Sequence, residues 1–498
     1  MRSKNQITLV LLMLVVLFIG LYLGKYIEAS SKPLGYFPSF KIIGDVEEIV
    51  TISYNHNFPL YKMEHKEVIM DFISLVDIIK AAEPIADDFE VLLVGNDGLI
   101  SKIDEIQDCG ITFSSLNGWE FVNKYHPISS NIKMVKEIVI VSKEGNWEEG
   151  LNIINTVENI LNITAGQFYL QGYDVLHNFE GTATAAKNGM DNSSTVYTTK
   201  KVKKLKDLID IPPDSRLLAM GAKGDYGYVD ANGYIELIGN QMNFLNNNSK
   251  EMIEDVKGIF MNPPIVSNMD TYYDTLHFLD KNERVLIFLI DGFGYHQYIE
   301  GMNSGYTPFL KSQPQAQKAS TVYKPVTNAG FAATITGEPP SVNGVYSREQ
   351  RELKVPSIFA TALNLDKKAA LIQGPINVLN TEIEPILNID SNNSGLVDDE
   401  VYERTLKEIN NGYHLILVHF KGLDTHGHST GDLSRETMNM LQTLDKYIED
   451  ISNKWEGKII ITSDHGMHSK GQIGSHGAFI MEDMMVPYLV IEGGLANE

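Results

Sequence analysis

The chain has 498 residues, enough for two to four domains with separate cores. Its 41 Lys and Arg stand against 64 Asp and Glu, a formal charge of −23, and no basic block offers a face that could track phosphates, so a nucleic-acid groove is not expected. Cys109 is the single cysteine, which excludes a disulfide framework or a Cys-based zinc cluster within one chain and leaves Asp, Glu, His and hydroxyl groups to hold any metal.

Residues 7–24 are almost continuously apolar, preceded by Arg2 and Lys4 and followed by Lys25. At ~1.5 Å per residue they span roughly 27 Å, close to a bilayer core. We read residues 1–30 as a transmembrane signal anchor with a cytoplasmic start, so that the chain meets the cell membrane through residues 7–24 and the remainder faces outward. Cleavage of this segment as a secretory signal would give a secreted protein instead.

Residues 31–265 carry no catalytic cluster but show an internal similarity. A short helix at 74–80, a strand at 91–95 and a Gly95-x-x-Gly98 turn are echoed by a helix at 204–210, a strand at 217–220 and a Gly221-x-x-Gly224 turn. The pattern predicts two α+β modules, 31–165 and 166–265, the second a repeat of the first. Residues 182–199, rich in Ala, Asn, Ser and Thr, read as a surface loop, and Asn262-Pro263-Pro264 begins a linker. Each copy is similar to part of the sulfite-oxidase-like molybdopterin-binding domain. The metal-ligating cysteine of that family has no counterpart, since Cys109 lies after the turn, so the expectation is a ligand-free scaffold or a recognition module.

From residue 282 to 498, strands alternate with helices, the pattern of a doubly wound α/β domain. Apolar runs at 285–290, 413–420 and 458–463 read as buried strands, with further strands at 369–373 and 488–492 and a helix at 398–409. Met438, Leu441, Leu444, Ile448, Ile451 and Trp455 recur at helical spacing, with Asp432 or Ser434 placed to cap the start. In such a sheet, groups just past the carboxyl ends of strands converge in one crevice. Asp291, Asp424 with His428, and Asp464 with His465 follow such strands, with His476 a little further on, and three carboxylates gathered there would repel one another unless they shared cations. Thr327 precedes small residues and a helix whose free N–H groups could face an anion. A threonine hydroxyl is a poor nucleophile near neutrality, and a dication lowers the pKa of a bound oxygen enough to change that.

Asp291, Thr327, the run Asp424-Thr425-His426-Gly427-His428, the run Asp464-His465-Gly466 and the pair His476-Gly477 resemble the alkaline phosphatase superfamily. Within it they are most similar to the type I phosphodiesterase and nucleotide pyrophosphatase branch. The resemblance implies two divalent ions, zinc by the family pattern, one held by Asp291, Thr327, Asp464 and His465 and the other by Asp424, His428 and His476. It also implies in-line attack by Thr327 on a phosphate ester through a phospho-threonine intermediate. Where that branch carries Asn three residues after the nucleophile this chain has Gly330, which leaves Asn328 as the candidate substrate contact. The short spacing from His465 to His476 is closer to the ethanolamine-phosphate transferases, so phosphoethanolamine-type transfer stands as an alternative, as does a catalytically inactive surface-binding protein. His426 and His468 are expected to face solvent or make supporting hydrogen bonds, and His419 to pack in the sheet or reach the site from behind.

Overall fold

Alternation of apolar and polar side chains builds most of the first half from short paired strands. The computed structural model describes residues 38–65, 68–103, 105–114, 117–124, 132–187, 190–247 and 252–494. The apolar stretch at 7–24 lies outside them, and among the described residues no helix is long and apolar enough to cross a membrane. The chain forms two compact units, one of residues up to Ile85 with Glu90–Ile140, the other of Ala86–Phe89 with Val141 onward.

The first unit contains β1 (Phe40–Gly44), β2 (Val50–Ile52), β3 (Leu60–His65), β4 (Val68–Ser74), α1 (Leu75–Ala82), β5 (Phe89–Gly95), β6 (Ile100–Ile103), β7 (Cys109–Ser114), β8 (Gly118–Asn123) and β9 (Val135–Ser142). Two sheets result, ordered β2-β1-β9-β5-β6 and β3-β4-β7-β8. Helix α1 buries Leu75, Ile78, Ile79 and Ala82, a one-face spacing that explains why this segment is helical.

The second unit opens with β10 (Leu151–Ile154), β11 (Asn159–Ile163), α2 (Ala165–Tyr169), β12 (Asp174–Lys187), β13 (Met190–Lys204), β14 (Leu217–Gly221), β15 (Tyr226–Val229), β16 (Tyr234–Ile238), β17 (Gln241–Leu245), β18 (Met252–Ile253) and β19 (Val256–Met261). Its sheets are ordered β11-β10-β19-β14-β15 and β12-β13-β16-β17-β18. Pairing follows the same scheme as in the first unit: β1 runs parallel to β9 as β10 does to β19, and β4 lies antiparallel to β7 as β13 does to β16. The hairpin turns also agree. Gly98 N donates to Gly95 O at 3.0 Å and Gly224 N to Gly221 O at 3.0 Å, with φ of +85° and +84°, a left-handed conformation that glycine adopts without strain. Residues 151–163, assigned from sequence to the first module, belong to the sheet of the second. Residues 182–187 and 190–199 are not a loop: they form most of two long paired strands, matched from Asp174↔Val202 to Lys187↔Met190. The sequence there is rich in small polar residues and shows no period-two signal, while its Thr and Val still favour extended backbone.

Beyond a short connection comes an eight-stranded sheet. It is built from β20 (Val266–Ser267), β21 (Val285–Ile290), β22 (Gln317–Ser320), β23 (Ala369–Gln373), β24 (Ile386–Leu387), β25 (Leu415–Phe420), β26 (Lys458–Thr462) and, after a small hairpin of β27 (His468–Lys470) and β28 (Ile473–Ser475), β29 (Met485–Glu492). The order is β20-β22-β29-β26-β21-β25-β23-β24, with β21 parallel to both β25 and β26 and β29 antiparallel to its neighbours. Alternate residues feed two cores: Leu286, Phe288 and Ile290 face one, Val285, Ile287 and Leu289 the other, as a sheet covered on both sides requires. The helix at Arg435–Ser452 is capped by the Ser434 side chain, which accepts from Thr437 N. Its predicted stripe is buried, Leu441, Leu444, Ile448 and Ile451 completely, at about 1.5–3 kcal/mol per side chain.

Candidate metal centre

Parallel register puts the ends of three central strands at one level. Ile290 stands opposite Phe420, and Leu289 opposite Thr462, so Asp291, Lys421 and Asp464 emerge together. Asp291 N donates to Phe420 O at 2.9 Å. Gly292, at φ +73°, lets the next strand's turn close in: a β-carbon there would lie 3.1 Å from that of Asp424. Asp464 Oδ1 accepts from Gly292 N (3.2 Å), His465 N (2.9 Å) and Ser463 Oγ (3.2 Å), which fixes the carboxylate and turns Oδ2 inward.

All seven residues singled out from sequence come together. In the first group His465 Nε2 lies 3.3 Å from Asp291 Oδ1 and 3.7 Å from Asp464 Oδ2, all three side chains fully buried. Thr327, the first residue of the helix Thr327–Thr336, places Oγ1 3.3 Å from Asp291 Oδ1 and 3.4 Å from His465 Nε2. In the second group His428 Nε2 and His476 Nε2 lie 3.3 and 3.5 Å from Asp424 Oδ1. The rings of His465 and His476 stack at 3.9 Å and join the groups. Asn328 directs its amide to Gln350 O (2.9 Å) and Val378 O (3.3 Å), so its donors hold the neighbouring loops.

These residues fit a pair of cations. Asp291 Oδ2, Asp424 Oδ1 and Asp464 Oδ2 are buried without a hydrogen-bond partner, a costly state for carboxylate oxygens unless a positive charge faces them. Each ligand-type histidine uses Nδ1 on a backbone carbonyl, His465 on Gly466 O (2.9 Å), His428 on Gly474 O (3.1 Å) and His476 on Pro325 O (2.9 Å). That arrangement aims every Nε2 at the carboxylates, as metal-binding imidazoles are oriented. The ligand atoms of Asp291, Asp464 and His465, and those of Asp424, His428 and His476, each fall within 4.8 Å of one another.

The ionisation of the side chains responds to this crowding of buried carboxylates. Burial opposes the charge of Asp291, yet contacts from His419 and His465 hold it well below the usual carboxylate range. Asp464 is pushed up to about 6 by burial and by Asp291 beside it. Burial alone would discharge His465, but the carboxylates of Asp464 and Asp291 outweigh it and hold the ring at about 10. His476 is pushed down to about 2 by burial and by charged His465, leaving a neutral imidazole.

Several contributors are not among the residues singled out from sequence. Lys421 Nζ lies 3.6 Å from Asp291 Oδ2, which raises its pKa. Its position directly after a buried strand was the available signal. Arg348 donates from a terminal guanidinium nitrogen to His476 Nε2 at 2.6 Å, across 128 residues, with no local motif. Buried Asp483 accepts from Gly477 N (2.9 Å) and Ala478 N (3.0 Å) and so holds the His476 turn, while His468 Nδ1 meets its other oxygen at 2.8 Å. His419 does approach from behind, 3.4 Å from Asp291 Oδ2, and His426 bonds to Gly422 O along its helix.

Residues 380–497 match the Metalloenzyme superfamily, in agreement with the alkaline phosphatase resemblance carried by the motifs. No curated protein sequence matches the chain. Among solved structures, phosphonoacetate hydrolase from Sinorhizobium meliloti 1021 in complex with phosphonoformate is similar at 16% identity and a TM-score of 0.31, over 37% of this chain and 57% of that one. Murine ectonucleotide pyrophosphatase / phosphodiesterase 5 is similar at 16% identity and 0.31, over 38% and 58%, and its human counterpart gives the same figures. The chain thus covers less than two thirds of the length of these structures.

Proposed function

We propose, for a chain whose C-terminal segment falls in the metalloenzyme superfamily, that the domain beyond residue 282 hydrolyses a phosphate ester of the phosphodiesterase or nucleotide pyrophosphatase type at a two-metal site. The observation that carries this reading is the Thr327 hydroxyl 3.3 Å from Asp291 beside two groups of buried carboxylates and imidazoles. Asp291, Asp464 and His465, with Thr327, would hold one ion and Asp424, His428 and His476 the other. Two such ions, zinc in our reading, supply the positive charge that lowers the threonine pKa and balances the phosphoryl oxygens.

The chain's own part is positioning. Thr327 loses its proton to solvent and attacks phosphorus in line, the P–O bond to the leaving group breaks and that oxygen takes up a proton from solvent, and water then cleaves the phospho-threonine and restores the hydroxyl. The first-turn N–H groups of the helix begun by Thr327 favour the growing negative charge. Lys421 adds a fixed positive charge beside Asp291. We further propose that residues 7–24 anchor the chain with this domain outside the membrane, supported by their apolar run and flanking basic residues. The full chain, loaded with zinc, should be assayed in parallel on aryl phosphomonoesters, phosphodiesters, nucleotides and phosphoethanolamine lipids, with membrane fractionation alongside. Absence of turnover on all four, at full metal content, would remove the enzymatic reading in favour of a surface-binding protein. Release of phosphoethanolamine onto an acceptor other than water would replace hydrolysis by transfer.

A further inference from the structure

The second strand-built module and the metal-bearing sheet share one core. Strands β10, β14 and β19 of the module give Ile154, Leu218, Met220 and Phe260 to the same buried cluster as Leu286, Phe288 and Ile290 of β21. Phe479, just past the ligand His476, is the ring seated between them. It stands 6.4 Å from Phe260 and 6.1 Å from Tyr323, and a β-carbon on Gly258 of β19 would fall 2.0 Å from it. Glycine at 258 therefore leaves room for a residue of the metal-bearing domain, a close approach that a side chain there would prevent.

Asn159, at the start of β11, adds a polar contact to the same segment. Its Oδ1 accepts from Met481 N at 2.8 Å, and its Nδ2 donates to Glu482 Oε2 at 3.1 Å. Met481 opens a helix of four residues, Met481–Met484, whose N-cap Ile480 has no side-chain oxygen to offer, so the module satisfies its first free N–H. A helix this short does not hold itself together in water. What it carries is Asp483. Fully buried Asp483 accepts from Gly466 N through its backbone oxygen (2.9 Å), and from Gly477 N (2.9 Å) and Ala478 N (3.0 Å) through Oδ2. Gly466 directly follows His465 and Gly477 directly follows His476, so this one residue ties a turn from each ligand group. The fit is tight, since a β-carbon on Gly466 would lie 2.0 Å from Glu482 O. The ion pair of Glu148 and Lys470, at 2.6 Å, also bridges the module to β27, but both side chains are largely exposed and such a pair contributes little.

We propose that Asn159 is a positioning residue of the metal centre, through which the second module holds both ligand turns in register. Its effect on bound ions rests on the two-metal reading; its hold on the turns does not. The test uses the full chain carrying Asn159→Ala, Asn159→Asp, or Asn159→Asp with Glu482→Gln. Hydrogen exchange at the amides of Gly466, Gly477 and Ala478 is followed in metal-free protein, and zinc affinity by titration with a chelator. Asn159→Ala should speed exchange at all three amides about tenfold and weaken both ions about tenfold, with protection of β10 and β19 unchanged. Asn159→Asp keeps an acceptor for Met481 N but sets a carboxylate against Glu482, and should lose at least as much. The double variant restores a donor at position 482 and should return exchange and affinity to within about threefold of the parent. That rescue separates positioning from a general loss of stability, which a second substitution would not repair. Parental exchange at the three amides in Asn159→Ala, or a double variant no better than Asn159→Asp, overturns the proposal. Faster exchange in Asn159→Ala beside a parent that binds no zinc would uphold the hold on the turns and reject the two-metal reading instead.

Discussion

The backbone carbonyl oxygen of Asp464 lies 2.1 Å from the point where a β-carbon on Gly330 would stand. The nucleophile helix therefore rests directly on the turn that presents Asp464 and His465. Asn268 reinforces the contact by donating to Gly330 O at 3.2 Å and to Thr321 Oγ1 at 3.1 Å. The departure from the family's Asn at this position thus has a steric reason. Gly330→Ala should cost about 1–3 kcal/mol of stability by overpacking and, by displacing Thr327 from Asp291, lower turnover more than stability alone explains. Urea unfolding and single-turnover kinetics on the same preparation measure both, and a variant with parental values would show that the helix has room to move.

Thr327→Ala should abolish turnover, by at least about 10³-fold, while bound metal stays near the parental level, because six other ligand residues remain. Elemental analysis beside a diester assay decides the matter. Parental turnover would reject Thr327 as nucleophile, and loss of both metals would make it chiefly a ligand.

How much of this was legible in the sequence follows from what each signal depends on. Asp291, Asp424 and Asp464 could be read because each follows a run of buried strand residues, and a parallel sheet leaves such groups one place to go. The stripe from Met438 to Trp455 was legible for the same reason, since burial and helical period coincide there. The pairing of β12 and β13 was not, because its stability lies in a backbone ladder that leaves no apolar period. Arg348 and Asp483 act through contacts with the His476 turn, and Arg348 reaches it from 128 positions away, a pairing that only the fold creates.

His476 offers its Nε2 to Asp424 of the second group and its Nδ1 to Pro325 O, and meets the first group only by stacking its ring on His465. His476→Ala should therefore weaken one metal and spare the other. Titration with a chelator should show two thresholds, one moved to lower chelator concentration and one unchanged. Simultaneous loss of both metals would mean that the two groups form one cooperative site.

Asp398 accepts from Lys421 N (3.0 Å) and Gly422 N (2.7 Å), and so sets the turn that carries Lys421 and Asp424. Burial nevertheless pushes its carboxyl up to about 6 from 3.8. The folded chain then holds this proton more tightly than the unfolded one. The associated stability is present below about pH 4 and is lost as pH rises through 6, by up to ~3 kcal/mol. Asp398→Asn lacks that dependence, so its stability relative to the parent should improve steadily from pH 4 to pH 7 in metal-free protein. A constant difference in urea unfolding across that range would show that Asp398 titrates normally.

Arg348 donates to His476 Nε2, the atom that would bind an ion in the second group. With that nitrogen engaged by a cation, the guanidinium must turn away, and its planar fork becomes available to oxygens of an incoming substrate. Arg348→Ala should then raise KM about 10- to 100-fold for a substrate with a second anionic group, change kcat little, and leave an aryl diester without that group almost unaffected. Arg348→Lys should recover part of the loss, since a point charge replaces half of a two-point contact. Metal content should not change, because arginine is not a ligand. An equal effect on both substrates would mean that Arg348 acts by orienting His476, and the accompanying fall in metal affinity would identify that role.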